Sequence, residues 1–328
     1  MTIIYKEDDA SLNILAGKTV GIIGYGNLGR PIAHNLRDTG VKTLIGVHSE
    51  DKRTQARDDG FEPQDISVII GRCHVLMLLL PDEVLPEVYI ESVSPFLQRG
   101  HLLVFASGYN IAFGFIEPPP FVDVGMIAPR TIAAAVRSRY LDGRGFYSFV
   151  AVGQDATNTA WDSILALAKA IGSLRAGALE LTMEQEAQLD MFLQQAILPV
   201  FHHIMTTAAG VLLEMGYPSE AVMMDLYISG ELTDYLSQAS EKGLLHALQL
   251  SSLTGQYGLF SRLERFKELK LERLMEITLD EIRNGDFSKE WGREYEDGYP
   301  RLTHLIQSQK QLDLWELEQQ AIDLIRGL

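Results

Sequence analysis

A glycine turn set between a β-branched run and a helix constrains this chain more than any other feature. Residues 18–23 (KTVGII) read as a short buried strand, Gly24-Tyr25-Gly26-Asn27-Leu28-Gly29 follows at once, and residues 30–38 have helical composition before a stop at Gly40. In that context each glycine has a task. Gly24 permits the tight turn, Gly26 lets the backbone approach a pyrophosphate, and Gly29 lets helix and strand pack closely. The N–H groups at the helix start attract anionic phosphate. Tyr25, Asn27 and Leu28 complete the turn, and Leu80, Pro81 and Asp82, at the end of a later apolar run, are further expected cofactor contacts.

Alternation continues beyond the turn. A second strand is expected at residues 43–47, apolar runs follow at 68–70 and 74–80, and 102–106 and 122–127 extend the series. Such a pattern predicts an α/β fold with a doubly wound parallel sheet. The second half changes period. Residues 181–215, 219–248, 260–283 and 312–325 carry apolar side chains at three- and four-residue spacing, broken at Gly216-Tyr217-Pro218, Gly255, Gly285 and Gly298-Tyr299-Pro300. The expected division is a dinucleotide-binding domain over 1–180 and an all-helical domain over 181–328.

Composition excludes several classes. One cysteine cannot form an internal disulfide, the polar, acidic start (MTIIYKEDDA) is unlike a signal segment, and no apolar run is expected to reach the roughly 20 residues that span a bilayer. The reading is cytoplasmic, with no membrane partner. A net charge of −16 argues against nucleic acid, whose binding depends on clustered Lys and Arg. Residues 181–328 hold 24 of the 44 acidic side chains but 12 of the 28 basic ones, so the excess lies on the helical half, as solubilising surface charge.

The end of the second strand separates NAD from NADP. His48, Ser49, Lys52, Arg53 and Thr54 suit a 2′-phosphate, whereas Glu50 and Asp51 suit a free ribose. Cations and hydroxyls prevail, so NADP(H) is favoured over NAD(H).

These segments together resemble the ketol-acid reductoisomerase family over nearly the whole chain. The resemblance runs through residues 21–29 (GIIGYGNLG), 35–41 (NLRDTGV), 79–84 (LLPDEV), 105–111 (FASGYNI), 126–129 (MIAP), 143–145 (GRG), 216–218 (GYP) and 285–291 (GDFSKEW). It implies the shorter form of the family, with one knotted helical domain, a homodimer, and a small-molecule substrate held between the domains with help from the partner chain. It also implies two Mg2+ ions on carboxylates from two helices and an active-site histidine, which together move an alkyl group before hydride transfer.

Those positions are the ones that differ. Ser107 stands where the family has its histidine. On the first metal helix Asp190 remains, but Gln194 replaces the glutamate. On the second, Asp225 and Ser229 take the places of two glutamates, with Glu231 two residues out of phase. The lysine of the family's alanine-proline-lysine loop is Arg130, whereas the substrate-contacting serine survives as Ser252. Mg2+ takes about six oxygen ligands and favours charged carboxylates, so Mg is not expected here and no metal ligand is assigned. Ser107, Arg130 and Ser252 remain as donors that polarise a carbonyl or imine. Tyr109 and Asn110, just past a strand end, are expected to line the pocket with Asp190, Gln194, Asp225 and Ser229. The resulting expectation is a metal-independent NAD(P)H reductase without alkyl migration. Its alternatives are a reductoisomerase with a remodelled site, in which Glu186 or Glu231 reaches Asp190 and Asp225, and a dinucleotide-binding protein without turnover.

Overall fold

The computed structural model describes residues 3–266 and 269–327. Two compact units divide the chain, Met1–Asp190 and Met191–Leu328, a later boundary than the one expected at residue 180. The shift arises because the first turns of the helix Met183–Phe192 bury Met183, Glu186 and Ala187 within the first unit.

Nine strands form the sheet of that unit: β1 (Ile4–Tyr5), β2 (Thr19–Ile23), β3 (Lys42–Gly46), β4 (Pro63–Gln64), β5 (Val75–Leu78), β6 (Leu102–Phe105), β7 (Asp123–Pro129), β8 (Ser148–Gln154) and β9 (Ala178–Glu180). Their order is β1-β9-β8-β7-β6-β5-β2-β3-β4. From β4 to β7 all neighbours are parallel, and the winding reverses between β2 and β5, the switch point at which such sheets bind ligands. The expected doubly wound parallel sheet is present, extended at one edge by antiparallel pairings of β8 with β7 and β1 with β9. β2, β5 and β6 are buried along their whole length, which is why they read as unbroken apolar runs.

Strand alternation divides the core. Val20, Ile22, Val75, Met77 and Val104 pack on one face with Ile32 and Leu36 of α1 (Gly29–Asp38). On the other face Ile23, Leu76, Leu78, Leu103 and Phe105 pack with Ile66, Ile69 and Ile70. Those three isoleucines belong to a helix, α3 (Ile66–Ile70), which follows α2 (Glu50–Asp58); the run at 68–70 is therefore not a strand. Short apolar runs carry no period that separates the two states.

The second unit is helical, as expected. Met183–Glu214 forms one continuous helix of 32 residues, crossing the unit boundary through a π-helical stretch at Leu193–Ile197. By length and mean hydropathy it is able to span a bilayer, which corrects the expectation that no segment would. In its first turns Met183, Glu186 and Ala187 are buried in the first unit, whereas Glu184, Gln185 and Leu189 are exposed. Helix Ser219–Met223 continues into a π-helical stretch, Met224–Ile228, and ends at Gly230 (φ +86°) before Glu231–Lys242 begins. Gly255 breaks nothing: it lies inside Leu253–Phe260, whose start is set by Ser252. Of the stretch 260–283, residues 267 and 268 lie outside the described residues, and Leu271–Arg283 is helical. Among the described residues, the buried apolar cluster of this unit comprises Ala209, Val222, Met223 and Ala321.

Candidate active site

The glycine turn is built as its sequence requires. Gly24 has φ +98°, and a Cβ there would lie 2.8 Å from the Leu79 carbonyl oxygen. At Gly29 a Cβ would stand 2.0 Å from the Gly24 carbonyl oxygen, so only glycine closes the turn onto α1. Gly26 faces open space, the room a pyrophosphate needs. Leu80 packs over Gly24, and the Pro81 carbonyl accepts from the Val84 and Leu85 N–H groups, shaping the facing edge. Tyr25 is buried, with its hydroxyl donating to Asp59 at 2.9 Å.

At the end of β3 the expected phosphate cradle divides. Ser49 is the N-cap residue of α2 and His48 lies 3.4 Å from Ser92 Oγ, both exposed. Lys52 is half-buried and reaches Gln55 at 3.3 Å. Arg53 is committed elsewhere: its Nη2 donates to the Val47 carbonyl at 3.0 Å and to Asp65, and Nε faces Glu50. This arginine ties the strand end to the start of α3.

A second cluster forms at the ends of β6 and β7. Ser107 follows β6, and its Oγ accepts from the Tyr109 N–H at 3.1 Å. Gly108 lies so close to the Met183 backbone that a Cβ would be 2.0 Å from its carbonyl oxygen. That approach brings the Gly108 N–H to Glu186 Oε2 at 2.6 Å. Arg130, just past β7, donates from Nη1 to Glu186 Oε1 at 3.2 Å and from Nη2 to Asp190 Oδ1 at 2.7 Å, with its guanidinium 5.1 Å from the Phe149 ring centre. Asn110 donates to the Asp82 carbonyl and carboxylate, both at 3.2 Å.

Two carboxylates thus converge on one cation, and Asp82 lies near enough for its charge to act on them. Burial pushes the Glu186 carboxyl up to about 7; Asp190 and Asp82 reinforce the shift, and the Gly108 N–H and Arg130 oppose it. Burial likewise pushes Asp82 up to about 6, with Glu83 and Asp190 adding to it and the Asn110 amide opposing. Among the described residues, the buried Asn110 Oδ1 and Tyr109 hydroxyl find no hydrogen-bond partner.

The structure brings Ser107, Tyr109, Asn110, Arg130 and Asp190 to one region of the first unit and adds Glu186. Glu186 precedes Asp190 by four residues, a same-face spacing visible in the sequence, but its burial depends on the Gly108 contact. The remaining candidates belong to the second unit. Gln194 is exposed on the π-helical stretch, and Asp225 is exposed on the other one, with Ser229 at its end. A π-helical turn is wider than an α-turn, so four-residue spacing no longer places Asp225 and Ser229 on one face. The break at Gly230 also removes the helical phase relation expected between Asp225 and Glu231. Ser252 is an N-cap, accepting from the Gly255 N–H at 3.2 Å. Among the described residues, no group of three or more His, Cys, Asp or Glu side chains is placed to hold a metal ion.

Two family patterns cover the chain: acetohydroxy acid isomeroreductase, NADPH-binding domain, over residues 14–177, and ketol-acid reductoisomerase, C-terminal domain, over residues 183–326. The chain belongs to the ketol-acid reductoisomerase family. It is 37% identical to the ketol-acid reductoisomerase (NADP(+)) of Pyrobaculum calidifontis, across 94% of both chains. With that of Sulfurisphaera tokodaii it shares 37% identity, across 93% of this chain and 92% of the other. A solved NADH-preferring ketol-acid reductoisomerase from an uncultured archaeon superimposes with a TM-score of 0.91 at 31% identity, covering 99% of each chain. Membership in this reductoisomerase family makes the chain an NAD(P)H-linked oxidoreductase and accounts for the Rossmann-like sheet followed by helices.

Proposed function

We propose that this family member is an NADPH-dependent reductase of a small carbonyl or imine compound that works without Mg2+ and without the alkyl migration. The observation that carries the reading is the Arg130 guanidinium bonded to both Glu186 and Asp190. Asp190 is the carboxylate that survives on the first metal helix, and a fixed cation already engages it. Glu186, which offered an extra ligand, spends its oxygens on Arg130 and the Gly108 N–H, and burial favours its protonated form. Gln194 and Ser229 bring no charge. This donor set does not fit a hard divalent ion, which is held by charged oxygens.

Hydride chemistry remains open to the site. The glycine turn, with Lys52, Leu80 and Pro81, would hold the dinucleotide, whose reduced nicotinamide supplies the hydride when bound. Ser107 Oγ accepts from the Tyr109 N–H, which leaves its own O–H to donate to a substrate oxygen or nitrogen. Arg130 adds positive potential beside that point, where negative charge develops during reduction. Ser252 retains its capping bond and acts through helix placement. A homodimer in the cytoplasm completes the proposal. Support for the homodimer is the second unit's exposed apolar side chains, including Leu198, Phe201, Ile204, Leu245, Leu253 and Leu274, which a second copy would cover.

One observation favours the second reading, a reductoisomerase with a remodelled site: the 0.91 structural match to an enzyme of that name. A panel of 2-oxo acids, 2-oxo amides and cyclic imines, assayed for NADPH oxidation in the presence of a chelator, tests the proposal. Turnover of at least one class is expected. Cofactor binding with no turnover across the panel favours the non-catalytic alternative.

A further inference from the structure

A groove of about 850 Å³ opens at Gly26 and Asn27 and is lined further by Arg30, Lys52, Gln55 and Asp59. Arg37 and Arg137 also border it, so four cations face one carboxylate. His34, another lining residue, has its pKa lowered by burial and adds no charge near neutral pH. Arg30 occupies the second position of α1, directly after the last glycine of the turn. Its Nε and Nη2 donate to Asp59 at 2.7 and 2.8 Å, a two-pronged pair that fixes the plane of the guanidinium. The same carboxylate accepts from the Tyr25 hydroxyl, so Asp59 locks the turn and the arginine together. The Arg30 side chain is nonetheless 46% exposed to the groove's solvent.

We propose that Arg30, held by Asp59, is a specificity-determining residue for the adenosine 2′-phosphate and acts with Lys52 across the groove. The assignment rests on the NADPH preference proposed above and names its structural source. Arg53 is occupied by Val47 and Asp65, so the strand end supplies only one available lysine. Arg30 supplies the second cation, from a different element. A 2′-phosphate carries nearly two charges and several acceptor oxygens, which suits a preoriented guanidinium beside an ammonium. NADH lacks that group and gains nothing from Arg30.

Fluorescence titration of wild type and Arg30→Gln with NADPH and NADH, with competition by 2′,5′-ADP and 5′-ADP, tests the assignment. In Arg30→Gln the NADPH and 2′,5′-ADP dissociation constants are expected to rise about tenfold or more, the loss of one charge-assisted contact. NADH and 5′-ADP should change less than about twofold, since no contact to them is removed. Arg30→Lys, which keeps the charge without the fork, is expected to fall between, and serves if the glutamine variant folds poorly. Equal losses for NADPH and NADH, or no loss for either, would overturn the assignment while leaving the wild-type preference intact. Wild type that binds the two cofactors equally would overturn the preference and the assignment together.

Discussion

The two ends of the crevice along the strand tips are built on different principles. At the dinucleotide end, specificity lies in glycines and backbone: Gly24 and Gly29 admit no Cβ, and Gly26 leaves space. At the end formed by β6 and β7, it lies in side chains: one guanidinium, two carboxylates and a serine held by short contacts. Backbone geometry tolerates little drift, because a single added carbon closes the turn. Side-chain chemistry changes one residue at a time without disturbing the strands beneath. A scaffold so divided keeps its cofactor while its reaction changes.

The largest effect expected from this contrast is at Gly29. Gly29→Val forces a Cβ into the Gly24 carbonyl, and NADPH binding should weaken by about a hundredfold or more, or the protein should fail to fold. Titration and circular dichroism report which. At the other end, Arg130→Met should leave the NADPH dissociation constant within about twofold of wild type while kcat falls by about a hundredfold, as when a positioned donor is lost. It should also cost about 1–2 kcal/mol of stability, because Glu186 and Asp190 each lose a charge-assisted hydrogen bond while Glu186 keeps the Gly108 N–H. Urea unfolding measures that cost. Equal loss of cofactor affinity in this variant would break the contrast.

Glu186 predicts a pH dependence with a defined sign. Its folded-state value of about 7 lies above the ordinary carboxylate value of 4.5. Between those values the folded protein binds more protons than the unfolded chain, so this group's contribution to stability falls as pH rises through the window. The change is on the order of 2–3 kcal/mol. Glu186→Gln should flatten that slope in denaturant midpoints measured from pH 4.5 to 7.5. The smallest effect is expected at Ser107. Ser107→Ala should lower kcat about tenfold, the worth of one hydrogen bond in the transition state, without moving the NADPH dissociation constant.

What the sequence made legible follows the same division. The glycine turn was readable because its requirements are local: strand, turn and helix are contiguous. β2, β5, β6 and β7 were readable because burial on both faces leaves continuous apolar runs, and β3 because it follows the glycine turn and its helix at the usual spacing. β1 and β9 were not, since Ile4 pairs with Leu179 and only that distant partner makes either segment a strand. The run at 68–70 fits a strand as well as a helix because Val68, Ile69 and Ile70 are β-branched, and only with Ile66 do the two isoleucines form the buried side of α3. In the site, Ser107 and Arg130 stood out as departures from the family's pattern. Arg130's carboxylate partners could not be assigned, because the Gly108–Met183 approach that buries Glu186 is a tertiary contact. Arg53 looked like a phosphate ligand by position, yet its bonds to Val47 and Asp65 depend on where α3 begins. The π-helical stretches at Leu193–Ile197 and Met224–Ile228 altered which residues share a face, and no sequence spacing announces them.

The central claim is that Arg130 fills the cation's role at this carboxylate cluster and that reduction proceeds without a divalent ion. The most direct measurement follows NADPH oxidation and product formation from 2-acetolactate and from a simple 2-oxo acid, each with added Mg2+ and with chelator. The account predicts no conversion of 2-acetolactate in either condition, and reduction of a carbonyl substrate at the same rate in both. Mg2+-dependent conversion of 2-acetolactate to the reduced, rearranged product would contradict it.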